Sequence, residues 1–294
     1  MNTPNTFIIG FSKCGTTALA NYLNQHIDIY VHPKKEPRFF IKEIILRTST
    51  KDPLSKLLKK ESILNSKEYF ESFEKRTEKI LIDASVHYVN HIEDFIQSLN
   101  QNGIDKNNIK ILVCVRNPVE RIISNWLYLE SDLLGFKESL EEEDYRMRNN
   151  YNSFWFYQHQ SKYLSKIKKV KEVFPNTLII NSEWLKNNTD QTLKSIEQFL
   201  NVRTFEKYKI ERNINASKSK QFIPNFGKFN AIINRIKILN KVFRLWNQAG
   251  IFRLGKDKYS TIRDEDIQYL NETFLDEMKY IQNLDYSELH NNYN

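Results

Sequence analysis

Residues 7–26 read FIIGFSKCGTTALANYLNQH. A short β-rich run ends at Gly10. A turn with Ser12, Lys13 and Cys14 follows, and Gly15-Thr16-Thr17 opens a stretch that puts Leu19 and Leu23 on one helical face. The glycine spacing is that of a triphosphate-binding loop, G-x-x-x-x-G-K-[ST], but Thr16 stands where that loop has its lysine. The lysine falls inside the turn instead, at position 13. Strand, turn and helix in this order predict an anion site. Backbone N–H groups, those of Cys14 and Gly15 among them, and the positive end of the helix dipole converge there. Lys13 adds a full charge, and Thr16 and Thr17 add hydroxyl donors without bulk. The plain alternative is an ordinary strand–turn–helix with a surface lysine.

Outward from this loop, β-rich runs at 7–9, 29–31, 80–82, 109–115 and 177–181 alternate with helix-like stretches at 17–25, 88–100, 118–130 and 190–200. That alternation predicts an α/β fold: a P-loop-like, mostly parallel sheet flanked by helices. Ligands of such sheets bind beyond the carboxyl ends of the strands. Residues 42–79 are rich in Lys and Glu and poorly periodic, and read as an insertion over one edge. From Arg212 onward no strand pattern occurs. Residues 212–262 read as a helical cap, and the whole chain, 1–294, as one domain.

The net charge of +8 fits an anionic ligand, or merely a lysine-rich composition. Cys14 and Cys114 are the two cysteines, with neither metal-ligand spacing nor a disulfide framework. The chain shows no export leader and no run of 18 apolar residues, so a cytoplasmic location is expected. Magnesium-dependent phosphoryl transfer needs carboxylates to hold the metal. Asp83, after the run 80–82, is the nearest candidate, and nothing in the sequence distinguishes it. No metal is expected.

A second motif lies in KILVCVRNPVERIISNWLYL, residues 110–129. Arg116 is the first residue past an apolar strand. Asn117 can cap a helix, with Pro118 at its first position and Glu120 at its third. Arg121 and Ser124, three residues apart, fall on one helical face. Arg116 at the strand end and Ser124 one turn into the helix can meet on a single phosphate, a role that suits the forked guanidinium.

The two motifs in this order resemble those of sulfotransferases that use 3′-phosphoadenosine 5′-phosphosulfate (PAPS) and release 3′-phosphoadenosine 5′-phosphate (PAP). The resemblance implies that Lys13, Cys14, Gly15, Thr16 and Thr17 hold the 5′-phosphosulfate. It implies that the pattern R-x-P-x-x-R-x-x-S, here Arg116, Pro118, Arg121 and Ser124, holds the 3′-phosphate. The segment HPKKEPRFF, 32–40, is similar to the K-E-x-x-F-F segment of the heparan-sulfate type and related bacterial enzymes. Glu36 is then the catalytic base, Lys35 tunes it or meets the leaving group, and Arg38, Phe39 and Phe40 face the acceptor. His32 and His87 compete as bases, His87 lying close to where the small-molecule branch of the family places its histidine. Heparan-type enzymes often have histidine where this chain has Arg38 and aspartate where it has Ile41, which leaves the acceptor class open. Residues 174–200 and a final helix over 263–284 also resemble the family. Lys218 and Lys220, in ASKSK, fall where the family has a loop covering the cofactor; a solvated basic turn is the alternative.

The acceptor expected is a hydroxyl, of a carbohydrate or glycolipid in the first instance and of a small alcohol or lipid in the second, with an anionic or lipid-linked molecule allowed. Residues 230–246 form an amphipathic stretch with Lys237, Lys241 and Arg244 opposite its apolar face. It reads chiefly as a packed cap helix, and otherwise as a peripheral membrane contact. A metal-dependent kinase or nucleotide hydrolase is the rival enzyme. A polyanion binder explains the charge but not two ordered phosphate motifs, so no nucleic-acid partner is expected.

Overall fold

β-Branched and aromatic residues fill five short strands: β1 (Thr6–Gly10), β2 (Ile29–Val31), β3 (Ile80–Asp83), β4 (Lys110–Val115) and β5 (Thr177–Asn181). The computed structural model describes residues 2–129, 134–210 and 261–284. All pairings are parallel, in the order β2-β3-β1-β4-β5. Helices cover both faces, which is why the strands read as continuous apolar runs rather than alternating ones. β1 and β4 end level, with Gly10 opposite Cys114. The chain leaves β1 toward β2 on one side and leaves β4 toward β5 on the other. The gap between β1 and β4 is therefore the topological switch point, and the loops after both strands open into it.

Among the described residues the helices are α1 (Thr16–Leu23), α2 (Lys42–Arg47), α3 (Ser55–Glu61), α4 (Ser66–Glu74), α5 (Ile92–Gln101), α6 (Pro118–Tyr128), α7 (Phe136–Glu141), α8 (Glu143–Arg148), α9 (Tyr157–Ser161), α10 (Tyr163–Val173), α11 (Ser182–Asn187), α12 (Thr189–Leu200), α13 (Asp264–Thr273) and α14 (Leu275–Gln282). Phe7 of β1 meets Phe40, Tyr88 and Phe95 edge-on, at 5.1–6.2 Å between ring centres. A second core joins Trp126 of α6 to Phe136, Trp155, Leu270 and Phe274.

Three expectations change. The helix expected over 88–100 begins as a 3-10 turn, Val86–His91, before α5. Residues 42–79 do border edge strand β2, but α4 buries Tyr69 and Phe73, four residues apart on one face, and Phe73 packs edge-on to Tyr30. The lysines and glutamates around them hide that stripe. The final helix is two, α13 and α14, because the backbone at Phe274 leaves helical geometry while its ring is buried in the second core. Lys218, Lys220 and the amphipathic stretch 230–246 lie outside the described residues, as does nearly all of the expected cap. No helix among the described residues is long and apolar enough to cross a membrane.

Candidate active site

The loop after β1 is shaped by close backbone packing. Gly10 has φ +135°, and a Cβ there would lie 2.6 Å from the Cys114 carbonyl oxygen and 2.8 Å from its nitrogen. Lys13 and Gly15 also take positive φ, 72° and 83°. Gly15 caps α1 without a side-chain hydrogen bond, so the first amides of that helix face the switch point with their donors available to a ligand. Thr16 is buried and Thr17 half-buried. Cys14 points into the core, where burial pushes its thiol up to about 11 despite the cations Arg121, Arg116 and Lys13 nearby. It offers the site no thiolate, and its amide, expected to bind the anion, instead donates to the Phe11 carbonyl at 3.3 Å. Two buried hydroxyls near this loop, Ser12 Oγ and Ser182 Oγ, have no hydrogen-bond partner among the described residues. Ser182, at the start of α11, has its Cβ 3.8 Å from where a Cβ of Gly15 would stand. Orphaned hydroxyls beside free helix amides suit a phosphate-like anion.

The second motif folds as its residues dictate. Asn117 Oδ1 accepts from the amides of Val119 (3.0 Å) and Glu120 (3.2 Å), and Pro118 takes the first helical position of α6. Arg116 then lies at the end of β4, beside the loop. Its Nε and Nη2 donate to Glu120 Oε2 at 3.1 and 2.9 Å. Glu120, Ser124 and Tyr128 recur every four residues and share one stripe of α6. The Lys13 ammonium rests 4.1 Å above the Tyr128 ring, which brings the first loop across the same stripe. Arg121 does not share it. That side chain is fully buried, donating to Ser161 Oγ (2.6 Å) and to the Tyr157 carbonyl, and it ties α6 to α9. The three-residue spacing to Ser124 spans the boundary between core and site.

In the segment 35–40, Glu36 and Arg38 both adopt left-handed backbone, φ 63° and 54°. The Glu36 carboxylate accepts from Lys35 Nζ (2.8 Å) and the Val86 amide (3.1 Å), with Arg38 at 3.7 Å. Burial alone would raise its pKa, but Lys35, Arg38 and His87 together hold it at about 2. It is a permanently ionised group, 13% exposed. His87, the rival base, is fully buried; its Nδ1 shares a hydrogen bond with Ser153 Oγ at 2.7 Å and its ring sits 4.2 Å from Phe154. Burial pushes its pKa down to about 3. His32 is buried too, its Nδ1 accepting from the Lys34 amide of its own turn. Of the residues expected to meet the acceptor, Lys35 and Arg38 are turned onto Glu36. Phe40 is 1% exposed and packs on Phe7, Tyr69, Tyr88 and Phe95, a core position rather than a wall of the site. Phe39 is likewise buried.

The residue the sequence left undistinguished stands out in the structure. Asp83 closes β3 beside β1, fully buried, with both carboxylate oxygens taken by the hydroxyls of Tyr69, Ser85 and Tyr88. A metal-holding aspartate of the kinase type would have to present an oxygen to the loop after β1, and this one is sealed off. The only available signal in the sequence was a charge closing an apolar run.

Sheet order, the switch-point loop and the helix start after β4 define a P-loop-like α/β protein. The model of the sulfotransferase domain matches residues 3–282, and the chain belongs to that family. It is a transferase of the sulfuryl group. A sulfotransferase from Alicyclobacillus acidocaldarius is 29% identical, with 82% of this chain and all of that one covered and a TM-score of 0.63. Mouse sulfotransferase SULT7A1, solved in complex with PAP, is 19% identical over 69% of this chain and 60% of that one, with a TM-score of 0.41. No curated protein sequence matches the chain.

Proposed function

We propose that the chain, as one domain over 1–294, moves a sulfuryl group from PAPS to an acceptor hydroxyl, of a carbohydrate or glycolipid by preference and otherwise of a small alcohol or lipid. One observation carries the reading: the loop after β1 and the α6 stripe meet at the same switch point, joined by Lys13 over Tyr128. When bound, PAPS supplies the sulfuryl group and a phosphate leaving group. The amides of Gly15, Thr16 and Thr17, with Lys13, hold the phosphosulfate and stabilise charge on the departing oxygen. Ser12 and Ser182 add donors that have no partner among the described residues. Arg116 and Ser124 grip the 3′-phosphate and so orient the donor, Arg116 exchanging Glu120 for it. Glu36 accepts the acceptor proton, and Lys35 tempers its basicity. Lys218 and Lys220, outside the described residues, are assigned to the nucleotide as the family resemblance implies. No metal takes part, and the enzyme works in the cytoplasm on a soluble or membrane-proximal acceptor. The Arg38 and Ile41 positions leave the acceptor class open.

Calorimetry with PAP tests this. Wild type binds, and Arg116→Ala weakens binding by ~10–100-fold, the loss of charge-assisted hydrogen bonds, while adenosine 5′-phosphate, which lacks the 3′-phosphate, binds both proteins alike. Absence of PAP binding by the wild type would remove the reading.

A further inference from the structure

Asp83 receives three hydroxyl protons: from Tyr69 (2.6 Å) and Tyr88 (2.8 Å) on Oδ2 and from Ser85 (2.7 Å) on Oδ1. Each of these donors also reaches segment 35–40. Ser85 Oγ accepts from the Arg38 amide at 3.0 Å, and Tyr88 Oη from the Phe40 amide at 3.4 Å. The Tyr69 ring stacks on Phe39, 4.3 Å between centres and 13° from parallel, and meets Phe40 edge-on. A hydroxyl has one proton. Because Ser85 and Tyr88 accept from backbone amides, their protons point at Asp83, and the relay runs in one direction, amide to hydroxyl to carboxylate. Chains of this kind reinforce one another in a low-dielectric interior.

The segment needs such holding. Glu36 and Arg38 sit in left-handed backbone, which non-glycine residues keep only where their surroundings over-determine it. The Glu36 amide is fixed on the Ala84 carbonyl and its carboxylate on the Val86 amide, so both contacts lie on the strand exit that Asp83 begins.

We infer that Asp83 is the positioning residue of this site: through Tyr69, Ser85 and Tyr88 it fixes segment 35–40 and with it the Glu36 carboxylate. The inference rests on Glu36 being the base. A polar knot serving only the core would stabilise the fold without governing Glu36.

The test follows Glu36 directly. Protein labelled with 13C at the glutamate carboxyl carbons is titrated by NMR, with the Glu36 signal assigned from Glu36→Gln. In wild type that signal stays ionised to the acid limit of the fold. In Asp83→Asn its midpoint rises toward the ordinary value of ~4, as Arg38 and the Val86 amide loosen. Burial raises Asp83 to about 6, so it is already protonated where Glu36 titrates; the substitution removes no charge there, and a rise reports lost anchoring. Ser85→Ala and Tyr88→Phe, which keep Asp83 itself, raise the midpoint by smaller steps and serve if Asp83→Asn does not fold. PAP binding within about two-fold of wild type shows that the donor site is intact. An unchanged Glu36 titration in variants that bind PAP normally overturns the proposal. Sulfate release from PAPS to water is read in parallel: a kcat lowered in step with the Glu36 midpoint at constant KM supports positioning. Full release by Glu36→Gln would dismiss Glu36 as the base and so overturn that part of the proposed function, whereas the titration reads the anchoring of Glu36 alone.

Discussion

Glu36 and His87 are neighbours that both stay deprotonated, one charged and one neutral; burial accounts for the histidine and the facing cations for the carboxylate. His87 is sealed beneath Phe154 and stays neutral because an imidazolium there would be desolvated. Glu36 keeps its charge because two cations face it. A carboxylate held at about 2 is a weak base, so its share of the rate lies toward the lower end of the usual ~10²–10⁴-fold. Glu36→Gln is expected to lose about 10²-fold in sulfuryl transfer from PAPS with PAP affinity unchanged. His87→Ala is expected to keep transfer within a few-fold and to lose about 1–3 kcal/mol of stability through a cavity and an unpaired Ser153 hydroxyl. Normal turnover in the first variant and none in the second would exchange the two roles. Lys13 and Arg116 were legible in the sequence because each stands at the end of an apolar run, where strand geometry dictates what comes next. Asp83 was not. Its partners come from α4, from the turn after β3 and, one bond further, from 38 and 40, and no local spacing encodes that convergence.

At the scale of elements, the site depends on how closely β1 and β4 approach. Gly10 opposite Cys114 lets the two backbones meet where both loops leave the sheet. A methyl group at Gly10 would overlap backbone atoms that no rotamer change can move, at a φ that L-residues avoid. Gly10→Ala is therefore expected to cost about 3 kcal/mol or more in urea denaturation. PAP affinity should fall too, since the first loop and Arg116 part together. Wild-type stability in that variant would mean that the strands separate at little cost and that the register is not what joins the motifs. The strands and α6 were readable because a strand buried on both faces is an apolar run and because Asn117-Pro118 writes a helix start plainly. α7 to α10 between β4 and β5, and the break at Phe274, were not. There the helices are short, and burial of one aromatic in a distant cluster decides where they end.

For the whole molecule the buried titratable groups set the response to acid. His87 and His91 have pKa values pushed down to about 3 and about 4, first of all by desolvation. Their contribution to stability is complete above the unfolded value of ~6.5 and is lost as pH falls toward those folded values. His32 and His159 lean the same way. Asp83 opposes them. Burial raises it to about 6 from 3.8, so its contribution is present below 3.8 and is lost as pH rises through 6. At pH 5 the unfolded chain thus takes up two protons at His87 and His91 that the fold refuses, and the fold holds one at Asp83 that the unfolded chain has released. With a net uptake of one proton, stability should fall by about 1.4 kcal/mol for each pH unit between 6 and 5, and more steeply if His32 and His159 add their share. Urea midpoints across that range measure the slope. In Asp83→Asn the opposing proton is gone, and the slope should become about one proton steeper. An unaltered slope in that variant would mean that Asp83 is ionised in the fold at pH 5, with its three hydroxyl donors outweighing desolvation.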